Sequence, residues 1–498
     1  MLIVFATPEV FPYSKTGGLA DVSAALPSAL ADLGHDVIVF SPCYRQTTSY
    51  FELREGDQPE AFNAGTVWIG DDNRELSYLV HRSGRVTHVF TVNGHYFDRD
   101  RLYTASDGRD YLDNVSRYSF FCRAVLAYLA QRDLSPHIVH CNDWQAALLP
   151  VFIAAAAPGT RFSATRSVLT IHNLGYQGIF PAEQIYATGL PWERFNIDEL
   201  EFYGSLNLLK GGIAAADAVT TVSPSYAKEI QTAEYGFGLG GFLEHHGAKL
   251  SGILNGIDTD TWNPASDSYL PEHYSVDDVA GKRASKATLQ QISGLAPDAG
   301  AFLLGVVSRL DRQKGIHLIA DVFPSLASQP VQLVVLGAGA GELEQMLRTL
   351  ADRFPKQVAY LNKHDESLAH LIEAGADAFL MPSTYEPCGL NQMYSQRYGT
   401  VPIVRETGGL KDTVLNYTAN RLEKRTASGF TFRKNDAASL LKAIKAAAKL
   451  FFTDRPAWQQ LVRCCMELDH GWHSRALEYE KLYSGLVSPA GTGSDEHA

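Results

Sequence analysis

The segment AFLLGVVSRL at residues 301–310 opens a series of short apolar runs that decides the fold of the second half of the chain. Each run is followed by a helical pattern or a glycine-rich turn, which is typical of parallel strands joined by crossover helices. The second half is therefore predicted to be a doubly wound α/β domain. The later runs are VQLVVLGAG at 331–339, QVAYLN at 357–362, AFLMPS at 378–383 and VPIVRET at 401–407.

The first half repeats this alternation, so the chain is predicted to hold two doubly wound parallel sheets. Because ligands of this fold class bind outside the carboxyl ends of the strands, the chemistry is expected in a deep cleft across which the two domains face each other. The apolar runs of the first half are LIVFAT at 2–7, DVIVFS at 36–41, HIVHCN at 137–142, SVLTIHN at 167–173 and AVTTVS at 218–223.

The domain boundary is placed near Ser251, where SGILNGIDTDTWNPASDSYLPEHYS lacks periodicity and is rich in Gly, Asp, Pro and Ser. This composition predicts a linker and a surface loop. The predicted organisation is a first domain over 1–250, a second over 251–460, a C-terminal helical segment over 461–486 and a disordered tail over 487–498.

The overall composition predicts an enzyme of the cytoplasm. A net charge of −12 argues against nucleic acid or an anionic membrane as a partner, because both require a basic surface. The six cysteines form no CxxC pair, which fits a reducing compartment. The N-terminal MLIVFATPEVFPY has no basic leader and is interpreted as a first strand, and no apolar run approaches the ~20 residues of a membrane span.

The loop after the first strand carries Lys15 and the pair Gly17 and Gly18, and it leads directly into a helix. Glycine backbone N–H groups, a helix N-terminus and a lysine together favour an anion such as phosphate. No Walker A pattern is present, which removes the main support for an ATPase. The alternative is a turn that uses glycine for its geometry, with a solvated lysine.

Two further candidates follow strands of the second half. Arg309 and Lys314 lie five residues apart after AFLLGVV, where two cations can converge on one pyrophosphate. Glu386 follows AFLMPS and precedes Pro387 and a helix start, which favours a rigidly held carboxylate, although it could serve only the dipole of that helix. A solvated charge run is the alternative for the two cations.

The remaining patterns argue against cofactors. The glycines of Gly337–Gly341 fail the full dinucleotide spacing and are interpreted as a tight strand-to-helix turn. His140, Cys141 and His172 lack the spacing of a metal site, so no metal and no cofactor is predicted. His140–Gln145 and His172–Asn173 end neighbouring apolar runs and offer side chains for sugar hydroxyls.

Taken together these stretches resemble the bacterial glycogen synthase and plant starch synthase family, in order along nearly the whole chain. The motifs that carry the resemblance are KTGGLADV at 15–22, HCNDWQAALLP at 140–150, TIHNLGYQG at 170–178, LLKGGIAAADAVTTVSPSYAKEI at 208–230, GILNGIDTDTWNP at 252–264, VSRLDRQKG at 307–315, PSTYEPCGLNQ at 382–392 and GTVPIVRETGGLKDTV at 399–414.

The resemblance implies two Rossmann-like domains of the GT-B type, with the C-terminal helical segment of 461–486 crossing back to the first domain. It also implies a metal-independent, retaining transfer of glucose from ADP-glucose to an α-1,4-glucan such as glycogen. It implies that Lys15, Arg309 and Lys314 bind the donor phosphates and that Glu386 lies close to the transferred glucose. It places His172 and Asp143 in the catalytic set, with Asp143 supporting the site. The further donor-binding residues it implies are Gly17, Gly18, Asp21, Asn173, Asn255, His364, Cys388, Gly389, Leu390, Thr407, Gly408 and Gly409.

Two residues depart from the family pattern. His364 stands where a tyrosine that stacks on the base is usual, and Asn391 replaces a usual threonine. The alternatives are another retaining glycosyltransferase of the same fold (a sucrose or trehalose-phosphate synthase), a glucan phosphorylase, and a non-catalytic glucan-binding protein. The first lacks KTGGLADV and EPCGL, the second has a cofactor-lysine region that is not matched, and the third needs no phosphate-binding cations.

Overall fold

A computed structural model describes residues 1–54, 56–156 and 159–488, which fall into two compact units. Unit 1 comprises Met1–Val222, Ala227–Asn255 and the chain from Trp472 onward. Unit 2 comprises Ser223–Tyr226 and Gly256–Gly471. The boundary therefore lies a few residues after the predicted Ser251, and most of the predicted tail, residues 489–498, lies outside the described residues.

Unit 1 is built on a nine-stranded sheet with the order β12-β11-β7-β6-β1-β2-β5-β4-β3, parallel except at the edge where β4 pairs antiparallel with β3 and β5. A small antiparallel sheet has the order β8-β10-β9. The strands are β1 Leu2–Ala6, β2 Asp36–Pro42, β3 Glu60–Ile69, β4 Asp72–Ser83, β5 Val86–Val92, β6 Ile138–Asn142, β7 Arg166–Ile171, β8 Ile179–Pro181, β9 Glu201–Phe202, β10 Ser205–Asn207, β11 Ala218–Thr221 and β12 Leu250–Gly252.

The central strands of this sheet are mainly apolar, as expected where helices cover both faces of a parallel sheet. In β1, Ile3, Val4 and Phe5 are completely buried. The helices of this half of the chain are α1 Gly18–Asp32, α2 Arg45–Glu52, α3 Gly94–Phe97, α4 Asn114–Gln131, α5 Asp143–Ala146, α6 Leu148–Ala154, α7 Leu208–Ala215, α8 Pro224–Glu229 and α9 Gly240–His245.

Unit 2 has an all-parallel sheet of order β15-β14-β13-β16-β17-β18. Its strands are β13 Phe302–Val307, β14 Val331–Leu336, β15 Val358–Leu361, β16 Ala378–Met381, β17 Val401–Arg405 and β18 Phe430–Phe432. Its helices are α10 Gly281–Ile292, α11 Ile316–Val322, α12 Gly341–Arg353, α13 Glu366–Gly375, α14 Asn391–Arg397, α15 Gly408–Thr413, α16 Ala419–Glu423, α17 Ala437–Thr453 and α18 Arg455–Met466. Both halves thus have the predicted doubly wound architecture.

The prediction that residues 461–486 form one segment returning to the first domain was wrong at its start. Helix α18 packs in unit 2, because Trp458, Leu461 and Cys465 are buried in the core of that unit. Only the last helix, α19 Trp472–Val487, belongs to unit 1. There the hydroxyl of Tyr483 lies 2.7 Å from Nδ1 of the buried His140.

The predicted linker and surface loop after Ser251 is instead packed into unit 2. Trp262 stacks between the rings of His370 and Tyr394, with both centroid distances at 3.8 Å. The buried Asp267 accepts a hydrogen bond from the Tyr398 hydroxyl at 2.6 Å. The turn-rich composition misled the prediction, because the aromatic and acidic side chains of this segment have buried partners.

No helix among the residues with described structure is long and apolar enough to cross a membrane.

Candidate active site

Five of the predicted site residues follow the strands at which the order of each sheet reverses. In unit 1 the chain runs from β1 to one side through β2 and returns to the other side through β6. In unit 2 the same reversal separates β13 from β16. The loops leaving neighbouring strands diverge at such a switch point and leave room for a ligand. These loops carry Lys15, Asp143, Arg309, Lys314 and Glu386.

The loop after β1 holds Lys15 half-exposed beside the first turn of α1. Its Nζ lies 2.6 Å from Oδ1 of Asp21, and the two side chains are 45% and 31% exposed. A Cβ atom added at Gly17 would meet no atom of the chain within 4 Å, so packing does not require this glycine. Gly18 is the first residue of α1. The loop therefore has the room that the approach of an anion needs.

A buried carboxylate, Glu9, binds this loop through Thr16. It is 3% exposed, and its Oε2 accepts the Thr16 hydroxyl at 2.9 Å as well as the Thr16 backbone N–H. Burial raises the pKa of Glu9 to about 7, against the lowering effect of these hydrogen bonds. The backbone N–H of Gly17, one of the groups predicted to face an anion, also interacts with Glu9 and lowers its pKa.

At the end of β6, two residues hold His172, which follows β7: Asn142 binds its ring and Asp143 binds its backbone. Nδ2 of Asn142 donates to the Ala6 carbonyl, so its Oδ1 faces Nε2 of His172 at 2.8 Å as an acceptor. The His172 backbone N–H donates to Oδ1 of Asp143 at 2.7 Å. Burial lowers the pKa of His172 to about 3. The ring is therefore neutral, with its proton on Nε2 and Nδ1 as an acceptor.

Asp143 is unusual in both backbone and charge. Its φ of 55° lies in the left-handed region, which costs a non-glycine residue energy and is found preferentially at functional sites. Burial raises its pKa to about 7, although the backbone N–H groups of His172 and Asn173 lower it. Asn173 itself is half-buried, and its Oδ1 accepts the Gly175 N–H at 2.9 Å.

In unit 2, Lys314 and Glu386 form a close ion pair between the loops after β13 and β16. Nζ of Lys314 lies 2.9 and 2.7 Å from the two carboxylate oxygens. The side chains are only 20% and 7% exposed. The Ser383 hydroxyl donates to Oε2 of Glu386 at 2.9 Å. The carboxylate is thus fixed by two partners and largely shielded from water.

The backbone around this pair is equally constrained. Gly315 has a φ of 67°, and a Cβ there would lie 2.2 Å from the Pro382 carbonyl oxygen. A Cβ at Gly408 would lie 1.9 Å from the carbonyl oxygen of Glu386, and the Gly409 N–H donates to that oxygen at 3.1 Å. The second Gly-Gly turn therefore holds Glu386 through the backbone, which departs from the predicted role of Gly409 as a donor to phosphate.

Arg309 follows the same strand, β13, as Lys314 but takes no part in the Lys314–Glu386 ion pair. Its side chain is 54% exposed and its Nη2 lies 3.9 Å from Oδ2 of Asp311. Asn391, one of the two departures from the family pattern, donates from Nδ2 to the Val307 carbonyl at 3.0 Å and so ties α14 to the end of β13. Among the described residues, no hydrogen bond joins Arg309 to the Lys314–Glu386 pair.

The other predicted donor-binding residues are distributed around these groups. His364 is exposed in the loop after β15. Asn255 is 6% exposed, and its Oδ1 has no hydrogen-bond partner in the described part of the chain. Four further predicted residues lie in the loops after β16 and β17. Cys388 and Thr407 are buried, Gly389 has a φ of 73°, and Leu390 immediately precedes α14.

Glu9 and Ser383 were not predicted from the sequence, although Glu9 holds the loop of Lys15 and Ser383 orients Glu386. Asn142 was predicted for sugar hydroxyls, but its role as the partner of the His172 ring was not. Asn142 and Ser383 stand at strand ends, which was a usable signal. Glu9 had no such signal, because its contact with Thr16 depends on how the intervening loop folds back. Within the described ranges, no group of three His, Cys, Asp or Glu side chains could hold a metal ion, and all six cysteines are buried and unbridged.

Two family models match the chain, one in each half. Residues 2–245 match the starch synthase catalytic domain, and residues 290–450 match glycosyl transferases group 1. The chain is 44% identical to a glycogen synthase of Koribacter versatilis (strain Ellin345), covering 97% of this chain and 98% of that protein. It is 42% identical to glycogen synthase 2 of Geobacter sulfurreducens, again covering 97% and 98%.

Solved structures show the same relationship. The catalytic domain of starch synthase IV from Arabidopsis thaliana, bound to ADP and acarbose, is 32% identical with a TM-score of 0.89, covering 98% of this chain and 99% of that one. A sucrose-phosphate synthase from Thermosynechococcus elongatus is 19% identical with a TM-score of 0.60, covering 97% and 98%, and shares the fold.

Proposed function

The chain belongs to the glycogen synthase and starch synthase family of glycosyltransferases, and from this membership we propose that it transfers glucose from ADP-glucose to the non-reducing end of an α-1,4-glucan. The α configuration is retained and ADP is released. The observation that carries the proposal is the shielded Lys314–Glu386 pair at the switch point of unit 2. The six thiols fit a cytoplasmic location.

The cations act on the leaving group. As the bond between the glucose carbon and phosphate breaks, negative charge grows on the diphosphate, so fixed cations stabilise the transition state more than the ground state. An ammonium group has three donors, and two on Lys314 are directed at Glu386, which leaves the third for a phosphate oxygen. Arg309 and Lys15 are each exposed enough to turn toward an anion.

The sugar is held by neutral and anionic groups. The transferred glucose develops oxocarbenium character, which the carboxylate of Glu386 stabilises electrostatically. Ser383 and Lys314 keep that carboxylate in one orientation. In unit 1, the unprotonated Nδ1 of His172 accepts a hydrogen bond from a sugar hydroxyl, and Asp143 holds the backbone of His172 in place for it.

A screen of donors and acceptors tests the proposal. ADP-glucose and UDP-glucose are each offered with glycogen, with fructose 6-phosphate and with glucose 6-phosphate, and the transfer of labelled glucose is measured. The proposal predicts the highest rate for ADP-glucose with glycogen, and it predicts full activity after exhaustive chelation. Transfer only to the small acceptors would identify a sucrose or trehalose-phosphate synthase, and inertness with both donors would favour a glucan-binding protein.

A further inference from the structure

The turn between β14 and α12, Gly337–Ala340, is packed on the loop that carries Arg309. The Leu310 N–H donates to the Ala338 carbonyl at 3.0 Å, and the Ala340 N–H donates to the Leu310 carbonyl at 2.8 Å. Both bonds are made by the backbone of Leu310, the residue that follows Arg309. The position of the Arg309 backbone therefore depends on the position of this turn.

Glycine is required in this turn by close contact. A Cβ at Gly337 would lie 1.9 Å from the Ser308 carbonyl oxygen, and one at Gly339 would lie 2.2 Å from the Leu310 carbonyl oxygen. Neither backbone oxygen can move without moving the Arg309 loop. Gly337 and Gly339, which do not match the dinucleotide-binding spacing, thus form the surface on which the Arg309 loop packs.

One side chain joins this turn to a second proposed donor loop. Glu344, in the first turn of α12, accepts the Gly339 N–H at 3.1 Å through Oε1. Its Oε2 accepts Nδ2 of Asn362 at 2.9 Å, and Asn362 lies two residues before His364. The Gly339 N–H is the main cause of a lowered pKa at Glu344, which keeps the carboxylate ionised.

We infer that Glu344 is a positioning residue that couples the Arg309 loop to the His364 loop, so that the phosphate side and the base side of the donor site move as one body. The inference rests on the proposed function, because only there do Arg309 and His364 contact a nucleotide sugar. Glu344 itself touches backbone, Asn362 and, at 3.5 Å, Arg348 of the same helix, so its effect on the reaction is indirect.

Helix α12 contains a matched control for this residue. Glu342 lies in the same first turn and contributes the same charge to the helix dipole. Its carboxylate contacts the exposed Arg312 of the Arg309 loop at 3.0 Å but, among the described residues, makes no hydrogen bond to Asn362. An effect shared by Glu342→Ala and Glu344→Ala is therefore an effect on the helix or on the Arg309 loop alone. The difference between the variants measures the coupling to the His364 loop.

Steady-state kinetics on the whole protein are the first test. Glu344→Ala loses two hydrogen bonds, which predicts a rise in KM for ADP-glucose of about tenfold with kcat within about threefold of wild type. Glu344→Gln retains both bonds if the Asn362 amide turns over, so its KM should stay within about threefold. Glu342→Ala should match wild type. Equal KM values for Glu342→Ala and Glu344→Ala would overturn the inference.

A second variant guards against a folding defect in Glu344→Ala. Asn362→Ala removes only the contact on the surface of the protein, and it predicts a KM increase of about threefold from the loss of one hydrogen bond. Combined with Glu344→Ala it should add less than the product of the two single effects, because both interrupt one connection. Fully multiplicative effects would contradict the coupling.

Amide exchange and ADP calorimetry separate this inference from the proposed function. Without any ligand, Glu344→Ala should accelerate exchange of the Gly339 amide about tenfold, as expected for one lost hydrogen bond, whereas Glu342→Ala should not. Failure of the wild-type protein to bind ADP would refute the proposed function and leave the exchange result standing. Tight ADP binding with unchanged Gly339 exchange in Glu344→Ala would refute the coupling alone.

Discussion

The two lysines assigned to the donor phosphates are held in opposite ways. Lys15 of unit 1 pairs with Asp21 at 2.6 Å, but the side chains are 45% and 31% exposed. Lys314 of unit 2 is 20% exposed and lies within 2.9 Å of both oxygens of a carboxylate that is 7% exposed. An exposed pair contributes at most about 1 kcal/mol, because water competes for both partners.

The difference in exposure makes Lys15 free to change partners and Lys314 fixed in place. Lys15 can leave Asp21 at little cost and follow a ligand. Lys314 cannot leave without depriving the largely buried carboxylate of Glu386 of its cationic partner, so this geometry of unit 2 exists before any ligand arrives. Fixed groups of this kind need no reorganisation during reaction, which is the basis of electrostatic preorganisation.

The largest effect is expected for Lys314→Ala. Loss of one transition-state donor predicts a fall in turnover of about 10²–10³-fold. Because the variant also leaves Glu386 buried without its partner, we expect a loss of roughly 1–3 kcal/mol in the free energy of unfolding. Kinetics and denaturant melts on one preparation measure both, with the exposed Lys411→Ala as control. A variant as stable as wild type would remove the distinction between the two lysines.

Lys15→Ala should lower turnover by about 10²-fold for the same electrostatic reason. Its melting midpoint should match wild type, because a half-exposed ion pair stabilises the fold little. The comparison with Lys314→Ala is sharpest when the two melts are run side by side. Activity within a few-fold of wild type would show that Lys15 is only a solvated surface lysine.

Asp143→Asn should change how stability depends on pH. Burial raises the pKa of Asp143 to about 7, so between its usual value near 4 and pH 7 the folded state binds the extra proton. Wild type therefore loses stability relative to Asp143→Asn as pH rises from 4 to 7, by an amount on the order of 2–4 kcal/mol. Melts at several pH values check this. Glu9→Gln should show the same sign, and a difference that is flat with pH would contradict the burial argument.

His364→Tyr should have the smallest effect. The imidazole is exposed, and a tyrosine ring retains a face on which a base can stack. We expect the KM for ADP-glucose to change by no more than about threefold, with ADP-glucose still preferred over UDP-glucose. A reversal of donor preference would make His364 a determinant of specificity.

The doubly wound architecture could be predicted because the central strands are buried on both faces and their sequences are short, mainly apolar runs. The edge hairpin β3–β4 was missed, since β3 is mostly exposed and carries no strong alternation. The segment containing Trp262 and Asp267 was taken for a surface loop, because turn residues dominate its composition and its partners His370 and Tyr398 lie far along the chain.

Strand ends located the candidate site, so Arg309, Lys314, Glu386 and Asp143 could be proposed from sequence. The contacts among them could not. Nothing in the spacing of Lys314 and Glu386 indicates a shared ion pair, since they follow different strands that become neighbours only in the sheet. The hydrogen bond from the Gly409 N–H to the Glu386 carbonyl could not be predicted either, because it depends on how the loops after β16 and β17 pack.

Glu386→Gln tests the central claim, that a preorganised carboxylate in unit 2 serves glucose transfer from ADP-glucose. Glutamine keeps the size of the side chain and an acceptor for Lys314 or Ser383 but removes the charge. We predict turnover at least ~10²-fold lower, with the KM for ADP-glucose and the melting midpoint close to wild type. A variant that turns over ADP-glucose normally, with or without a lowered melting midpoint, would show that Glu386 has only a structural role.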